Sequence, residues 1–244
     1  MKLWQITDRG KVRQKNQDVC LTLYDKKKKI AAIVVCDGMG GANAGNVASE
    51  MAAAVFMANL KNHLYETGNA DEISALVKSA VNEANAAVYA KSLADVSCNG
   101  MGTTLVAAVA TETNTVIMNV GDSRAYHAKD GAITQITKDH SVVEDLVSCG
   151  EITRSEAAHH PQKNLITRVV GTNATLHPDL FYPDIGEGEY LILCSDGLSN
   201  IVQDEEILAE ILHSTEPEKI CKDLLAIAMA RGAPDNVTIA ILQK

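Results

Sequence analysis

The 244-residue sequence predicts an α+β fold in which pairs of helices pack on antiparallel sheets. The order of its apolar patterns indicates this class: strand-like runs come first, then two helical segments, then more strands, then two more helices. A second indication is the two-residue turn Asp130-Gly131 between apolar runs, which is typical of a hairpin. Strands and helices do not alternate one by one, so a parallel βαβ sheet is not expected.

The first half of the chain supplies three strands and the first helix pair. Short apolar or alternating runs predict strands at Leu3–Thr7, Val19–Tyr24 and Ile30–Cys36. Apolar residues at intervals of three and four then predict two helices, Ala42–Leu60 and Asp71–Leu93. Acidic residues at the start of the second helix favour its N-terminus there, because they complement the helix dipole.

The second half repeats the order of strands and helices. The predicted strands are Thr103–Ala110, Thr115–Val120, Arg124–Ala128, Ala132–Ile136, Leu176–Tyr182, Tyr190–Cys194 and Val237–Leu242. The second helix pair is predicted at Asp204–Leu212 and Pro217–Ala230. Residues 141–171 are polar and weakly periodic, which predicts short helical turns in a mobile insertion outside the core. No repeat or proline-rich linker divides the chain, so we expect a single domain over residues 1–244.

Charge and composition disfavour several classes of function. With 22 Lys and Arg against 31 Asp and Glu, the formal charge is −9, so the surface as a whole repels nucleic acid and anionic membranes. A two-metal nuclease is therefore disfavoured. The apolar runs fall short of the roughly 20 residues that cross a bilayer, and no secretion signal is visible. The six cysteines contain no C-x-x-C pair, which favours reduced thiols in the cytoplasm.

Acidic residues follow three apolar runs and precede a fourth. Asp37, Asp122 and Asp196 come at or just after the ends of such runs, and Asp235 comes just before the last strand. If these strand ends meet at one edge, mutual repulsion raises the pKa values of the acids unless cations bind. Oxygen ligands without a His or Cys cluster indicate Mg²⁺ or Mn²⁺. Two such ions about 4 Å apart can direct a deprotonated water at a phosphorus atom.

A phosphate site also needs a cationic group for the phosphate oxygens. Arg13 lies in a polar N-terminal loop beside another acid, Asp18. Its guanidinium can bind two phosphate oxygens at once. The alternative is that Arg13 is an ordinary surface residue.

Seven short motifs together resemble those of the metal-dependent PP2C-type (PPM) protein serine/threonine phosphatases, in order and spacing, over residues 8–240. They are Arg13-x-x-Asn16-Gln17-Asp18, Asp37-Gly38-Met39-Gly40-Gly41, Gly102-Thr103-Thr104, Val120-Gly121-Asp122-Ser123-Arg124, Asp139-His140-Ser141, Ser195-Asp196-Gly197 and Asp235-Asn236-Val237-Thr238. The chain is similar to the compact bacterial branch of this family. The resemblance implies an α-β-β-α sandwich of two antiparallel sheets flanked by pairs of antiparallel helices, with a dimetal site at one edge, in the channel between the sheets.

The resemblance also implies a set of metal ligands. Asp37 matches the residue that bridges both metals, and Gly38 matches a ligand through its carbonyl oxygen. Asp196 and Asp235 match ligands of the first metal. Asp122, together with Asp196, matches a weaker third site. The implied cofactors are two Mn²⁺ or Mg²⁺ ions, with a possible third ion.

Other matching residues are implied to act on the substrate. Arg13 matches the phosphate-binding arginine, Asp18 an acid that orients metal-bound water, and residues 141–171 a variable flap that is a candidate gate for substrate. Animal relatives carry a histidine, a proposed general acid, where this chain has Met39, which cannot donate a proton. The candidate acids are then a metal-bound water and His140, whose alternative is a structural role.

The predicted activity is hydrolysis of phosphoserine and phosphothreonine monoesters in proteins by a hydroxide that bridges two Mn²⁺ or Mg²⁺ ions. The resemblance implies phosphorylated proteins as partners, among them eukaryotic-like bacterial Ser/Thr kinases and their targets, and we expect a cytoplasmic monomer. The alternative is a catalytically inactive phosphoprotein-binding module on the same fold. Such modules usually lose metal-binding acids, and this chain keeps them.

Overall fold

The computed structural model describes residues 1–40, 44–66 and 69–244. The start of the predicted helix Ala42–Leu60 and the last glycine of the Asp37–Gly41 motif lie outside these residues. Numbered in chain order, the strands are β1 Lys2–Asp8, β2 Asp18–Asp25, β3 Ile30–Met39, β4 Gly102–Thr103, β5 Leu105–Ala110, β6 Thr115–Val120, β7 Arg124–Lys129, β8 Ala132–Gln135, β9 Asp179–Phe181, β10 Tyr190–Cys194 and β11 Val237–Gln243. The helices are α1 Gly45–His63, α2 Ala70–Ala94, α3 Val142–Ser148, α4 Arg154–Ala157, α5 Asp196–Ser199, α6 Asp204–His213 and α7 Pro217–Ala230.

The strands form two sheets, and every pairing between named strands is antiparallel. One sheet has the order β1-β11-β10-β7-β8. The other has the order β2-β3-β5-β6-β9, with β4 paired to β3. The predicted absence of a parallel βαβ sheet therefore holds for the described strands.

Three layers of apolar side chains hold the sheets and helices together. In β3, Ile30, Ala32 and Val34 belong to the core shared with α1 and α2, whereas Ala31 and Ile33 belong to the core between the sheets. This alternation follows from the two-residue period of a strand. A third core joins the other sheet to α6 and α7. The result is the α-β-β-α sandwich that the sequence resemblance implied.

Several element boundaries differ from the predicted ones. The run Thr103–Ala110 is interrupted at Thr104, whose N–H donates to the carbonyl of Asp37 instead of continuing the strand. The predicted strand Leu176–Tyr182 is reduced to β9, because only these three residues pair with β6. The short helix α5 is an addition that its polar sequence did not indicate.

The 141–171 segment contains short helices, as predicted, namely α3 and α4. The prediction that it stays outside the core is wrong at its end, because Val170 is fully buried in the core of α1 and α2. None of the described helices is long and apolar enough to cross a membrane.

Candidate active site

A cavity of about 250 Å³ lies where the ends of β3, β6 and β10 meet the start of β11. It brings together six of the seven residues singled out from the sequence, namely Arg13, Asp37, Gly38, Asp122, Asp196 and Asp235. The seventh, Asp18, lies beside Asp37 as its partner in the β2–β3 ladder. The strand ends thus meet as the carboxylate pattern requires.

The backbone of Asp37 is held by the two threonines at the start of the neighbouring strand. Its N–H donates to Oγ1 of Thr104 at 2.9 Å. Its carbonyl oxygen accepts from Thr104 N–H and Thr103 Oγ1, both at 2.9 Å. Thr104 Oγ1 lies 2.7 Å from Oγ of Ser123, so it also ties Asp37 to the turn that carries Asp122. The threonines and Ser123 therefore act as structural supports.

Gly38 sits at a point of close backbone approach. A Cβ atom there would lie 2.1 Å from the carbonyl oxygen of Gly45 and 2.8 Å from that of Gln17. Only glycine fits between these two carbonyls without a shift of backbone. The N–H of Gly38 donates to Gln17 at 3.1 Å, which joins this site to the N-terminal loop.

Asp18 is almost fully buried and is bonded from one side. Its Oδ2 accepts from Ser195 Oγ at 2.7 Å, and Ser195 Oγ in turn accepts from the N–H of Thr238. Burial raises the pKa of Asp18 to about 6, although hydrogen bonds from Ser195 and Thr238 oppose the shift. A buried network thus fixes the carboxylate behind Asp37.

The side chains of Asp196 and Asp235 are each held by hydrogen bonds. Asp196 lies in the first turn of α5, and its Oδ2 accepts from Asn200 Nδ2 at 3.0 Å. Asp235 accepts from the N–H of Asn236 at Oδ1 (2.8 Å) and from Arg13 Nη2 at Oδ2 (2.6 Å). Arg13 and Asp235 are 222 residues apart in sequence, so only the fold makes this pair.

Burial and mutual repulsion raise the pKa values of several carboxyl groups in the cavity. Burial raises the pKa of Asp122 to about 7, and the charge of Asp196 adds to the effect. Burial and the neighbouring acids also raise the pKa of Asp37 and that of Asp196. Asp37, Asp122 and Asp196 therefore favour their protonated forms unless a cation balances their charge.

The residues present fit divalent cations. Oδ1 atoms of Asp18, Asp122 and Asp196 are buried and accept no hydrogen bond from the described residues, which is rare in a folded protein and points to a missing ligand. Within the described ranges, no three His, Cys, Asp or Glu side chains by themselves form a group that could hold an ion. Mg²⁺ commonly binds through one or two carboxylates and keeps several waters. A cavity shared by carboxylates suits that mode of binding.

A second cavity, of about 270 Å³, adjoins the first one and shares Asp122, Asn164 and Asp196 with it. Its other side is formed by the 141–171 segment, including Glu144 and Arg154, which form an ion pair. Residues of the 141–171 segment thus line both cavities.

His140 does not line either cavity, and it has a structural role. Its ring is 4% exposed; Nδ1 accepts from the N–H of Gly121 at 3.1 Å, so Nε2 carries the proton that bonds Asp179 at 3.1 Å. Burial lowers the pKa of His140, although Asp179 opposes this. The general-acid alternative for His140 is therefore not supported, while Met39 does line the first cavity.

Besides Thr104, three polar residues at the cavity were not singled out as site residues. Gln17, Asn164 and Asn236 all contribute to its lining. Gln17 and Asn236 stand next to predicted acids inside two of the seven motifs, which is the signal that could have found them. Asn164 lies in the weakly patterned segment and has no comparable signal.

Comparison with known proteins identifies the same family throughout. A sequence profile described as protein phosphatase 2C matches residues 8–226. The chain is 37% identical over 242 residues to a serine/threonine phosphatase, stp, of Listeria innocua, which covers 98% of this chain and 94% of that protein. It thus matches that relative over nearly its whole length.

Solved structures agree. A serine/threonine phosphatase of S. agalactiae has a TM-score of 0.90 and 34% identity, covering 100% of this chain and 99% of that one. The catalytic domain of the phosphatase PstP, in complex with two manganese ions, has a TM-score of 0.83 and 35% identity, covering 98% and 96%. The predicted family and the predicted sandwich fold are confirmed, and this chain belongs to the protein phosphatase 2C family.

Proposed function

We propose that this chain hydrolyses phosphoserine and phosphothreonine monoesters of proteins at the first cavity. Serine/threonine phosphatase activity follows from the family and from the named relatives. The observation that supports its location is the meeting of one guanidinium, Arg13, with the partly buried carboxylates of Asp37, Asp196 and Asp235 in a single cavity. A phosphate dianion and divalent cations are the ligands that such a mixture of charges suits.

The metal ligands in this proposal are those implied by the sequence resemblance. Asp37, the carbonyl of Gly38, Asp196 and Asp235 would hold two Mn²⁺ or Mg²⁺ ions, and Asp122 with Asp196 a third, weaker one. When bound, such ions polarise phosphoryl oxygens and lower the pKa of an attacking water. The relative whose structure contains two manganese ions supports this choice of metal.

Arg13 and Asp18 would act beside the metals. The Arg13 side chain is half exposed and reaches Asp235 through one nitrogen, which leaves donors of its planar fork for two phosphoryl oxygens. Asp18 keeps one buried oxygen without a hydrogen bond from the described residues. We propose that this oxygen orients a metal-bound water molecule next to Asp37.

We further propose that the chain works as a single domain and as a cytoplasmic monomer, with residues 141–171 as a flap beside the substrate. All six cysteines are free and five are buried, which fits a reducing compartment. Its substrates would be phosphorylated proteins, among them eukaryotic-like Ser/Thr kinases and their targets.

The test is release of phosphate from p-nitrophenyl phosphate and from a phosphothreonine peptide with Mn²⁺. Both should be hydrolysed, and chelation by EDTA should stop both reactions. Asp130→Asn removes an acid from the β7–β8 turn, outside both described cavities, and should keep full activity as a matched control. An inactive binding module would instead retain the phosphopeptide and release no phosphate, which would overturn the proposal.

A further inference from the structure

The side chain of Asn236 ties the Arg9–Gln17 loop to the start of β11. Its Nδ2 donates to the carbonyls of Arg9 (2.8 Å) and Lys15 (2.9 Å), and its Oδ1 accepts from the N–H of Gln17 (2.8 Å). Asn236 is only 4% exposed. Both amide hydrogens and the amide oxygen are therefore used on the backbone of one loop.

Asn236 is itself held against the backbone beside Asp235 and Asp196. Its backbone N–H donates to Oδ1 of Asp235 at 2.8 Å. Its carbonyl oxygen packs so closely on Gly197 that a Cβ atom there would lie 1.8 Å away. Gly197 follows Asp196 directly, so the anchor of the loop is built into the same backbone that carries two of the proposed metal ligands.

These bonds enclose Arg13. The loop has no regular secondary structure between β1 and β2, and the Arg13 side chain is about half exposed. Other bonds also reach the loop, such as Lys11 N–H to Ala233 and Asn16 Nδ2 to Thr7. Asn236 differs in that it holds the backbone both before and after Arg13.

We propose that Asn236 is a positioning residue for Arg13: it fixes the Arg9–Gln17 loop so that the guanidinium faces the phosphoryl group. The inference rests on the proposed function, in which Arg13 binds phosphate. The role requires an amide, because one side chain must donate twice and accept once within the same small space. A misplaced guanidinium loses the alignment on which a two-pronged contact depends.

The test is a double-mutant cycle of wild type, Asn236→Ala, Arg13→Ala and the double variant, on p-nitrophenyl phosphate at saturating Mn²⁺. Asn236→Ala should lower kcat/KM roughly 10-fold and weaken inhibition by inorganic phosphate by a similar factor. In the Arg13→Ala background the same change should cost less than about 3-fold, because the group it positions is gone. Equal losses in both backgrounds would overturn the inference.

Asn85→Ala is the matched control. Asn85 is also buried, and it bonds the backbone of Gly171, Asn173 and Ala174 on α2's side of the molecule. It should lower Tm by a similar amount and leave phosphate inhibition unchanged. A change in phosphate inhibition as large as that of Asn236→Ala would mean that any buried anchor has this effect, against the proposal.

Two further measurements cover the remaining outcomes. Should Asn236→Ala fail to fold, Asn236→Ser keeps a small polar side chain that cannot reach both sides of Arg13, and the cycle is run with it. Calorimetric Mn²⁺ titration should give unchanged affinity. A loss of Mn²⁺ affinity with normal phosphate inhibition would show that Asn236 acts through Asp235 instead, and overturn the inference. Wild-type protein without any turnover would contradict the proposed function itself.

Discussion

Two irregular segments line the same cavity and are held in different ways. The Arg9–Gln17 loop is bonded along its length to the buried side chain of Asn236. The 141–171 segment is closed on itself by the bridge of Ser141 to Ile166, and the bridge of Val170 to Thr103 joins its end to β4. Between Ser141 and Ile166, helix α4 has no buried residue.

The contrast follows the chemical tasks that we propose for the segments. A guanidinium that must meet two phosphoryl oxygens needs a fixed backbone, since small displacements cost much of a directed interaction. A segment that borders the approach of varied proteins needs no such precision and can open locally at low cost. A third part of the site consists of carboxyl groups and differs from both segments, because burial raises the pKa values of several of its members. We call it the floor of the cavity; its residues are Asp18, Asp37, Asp122, Asp196 and Asp235.

A substitution in the floor of the cavity should cause the largest loss of activity. Asp37→Asn keeps the shape of the side chain and removes the charge shared by the two proposed ions, so activity should fall at least ~100-fold. The same change relieves repulsion in the metal-free protein, so the Tm without metal should not fall. Rates near those of wild type at saturating Mn²⁺ would refute the bridging role.

A change in the Arg9–Gln17 loop should cause the next largest loss of activity. Arg13→Ala removes a charge-assisted, two-pronged contact of roughly 1.5–3 kcal/mol, or about 10–150-fold in kcat/KM. Arg13→Lys should restore only part of the loss, because an ammonium group lacks the planar fork. If kcat/KM of Arg13→Ala on a phosphopeptide equals that of wild type, Arg13 is a surface residue and another group binds the phosphate.

Asp122 lies in the lining of both cavities and should show an intermediate effect. Asp122→Ala should remove a weak third ion and keep two tight ones, with turnover reduced roughly 10-fold. The loss should be greater for a phosphopeptide than for p-nitrophenyl phosphate, whose leaving group needs less protonation. Calorimetric titration with Mn²⁺ measures the sites, and an unchanged metal count would rule out the third-site role.

The raised pKa values of the floor carboxyl groups should also make the stability of the metal-free protein depend on pH. Burial raises the pKa of Asp18 to about 6 and of Asp122 to about 7, so the metal-free folded state binds more protons than the unfolded state above the ordinary carboxyl pKa. Stability should therefore fall as pH rises from about 4, the ordinary carboxyl pKa, to about 7, with a slope of at most about 1.4 kcal/mol per pH unit for each of these two carboxyls. Thermal denaturation without metal measures this; Mn²⁺ should flatten the slope, and a metal-free Tm that rises over this range would contradict the raised pKa values.

A substitution in the 141–171 segment should cause the smallest change in the rate of phosphate hydrolysis. Arg154→Ala breaks the pair with Glu144, which should increase hydrogen exchange between α3 and α4. Turnover of p-nitrophenyl phosphate should stay within about 2-fold, and KM for a phosphopeptide should rise only a few-fold. Loss of p-nitrophenyl phosphate turnover as large as that of Arg13→Ala would remove the proposed difference between the two segments.

Local patterns in the sequence predict the type and order of most strands and helices. Period-two and period-3.6 spacing is a local property, so β3 and α7 could be placed from their apolar residues alone. The acids at the strand ends and the family motifs likewise pointed to the seven candidate site residues, six of which line one cavity. Boundaries failed where a distant group overrides local preference, as at Thr104, which bonds Asp37.

Which of these residues share a cavity, and which groups support them, depends on contacts between distant parts of the chain. Arg13 pairs with Asp235 and Asn236 bonds the Arg9–Gln17 loop across more than 200 residues, and no local pattern encodes such contacts. His140 could be a proton donor or a structural residue from its sequence, and only its bonds to Gly121 and Asp179 assign the structural role. The physical reason is that periodicity records which face of an element is buried, whereas the partner on that face is set by the packing of the whole chain.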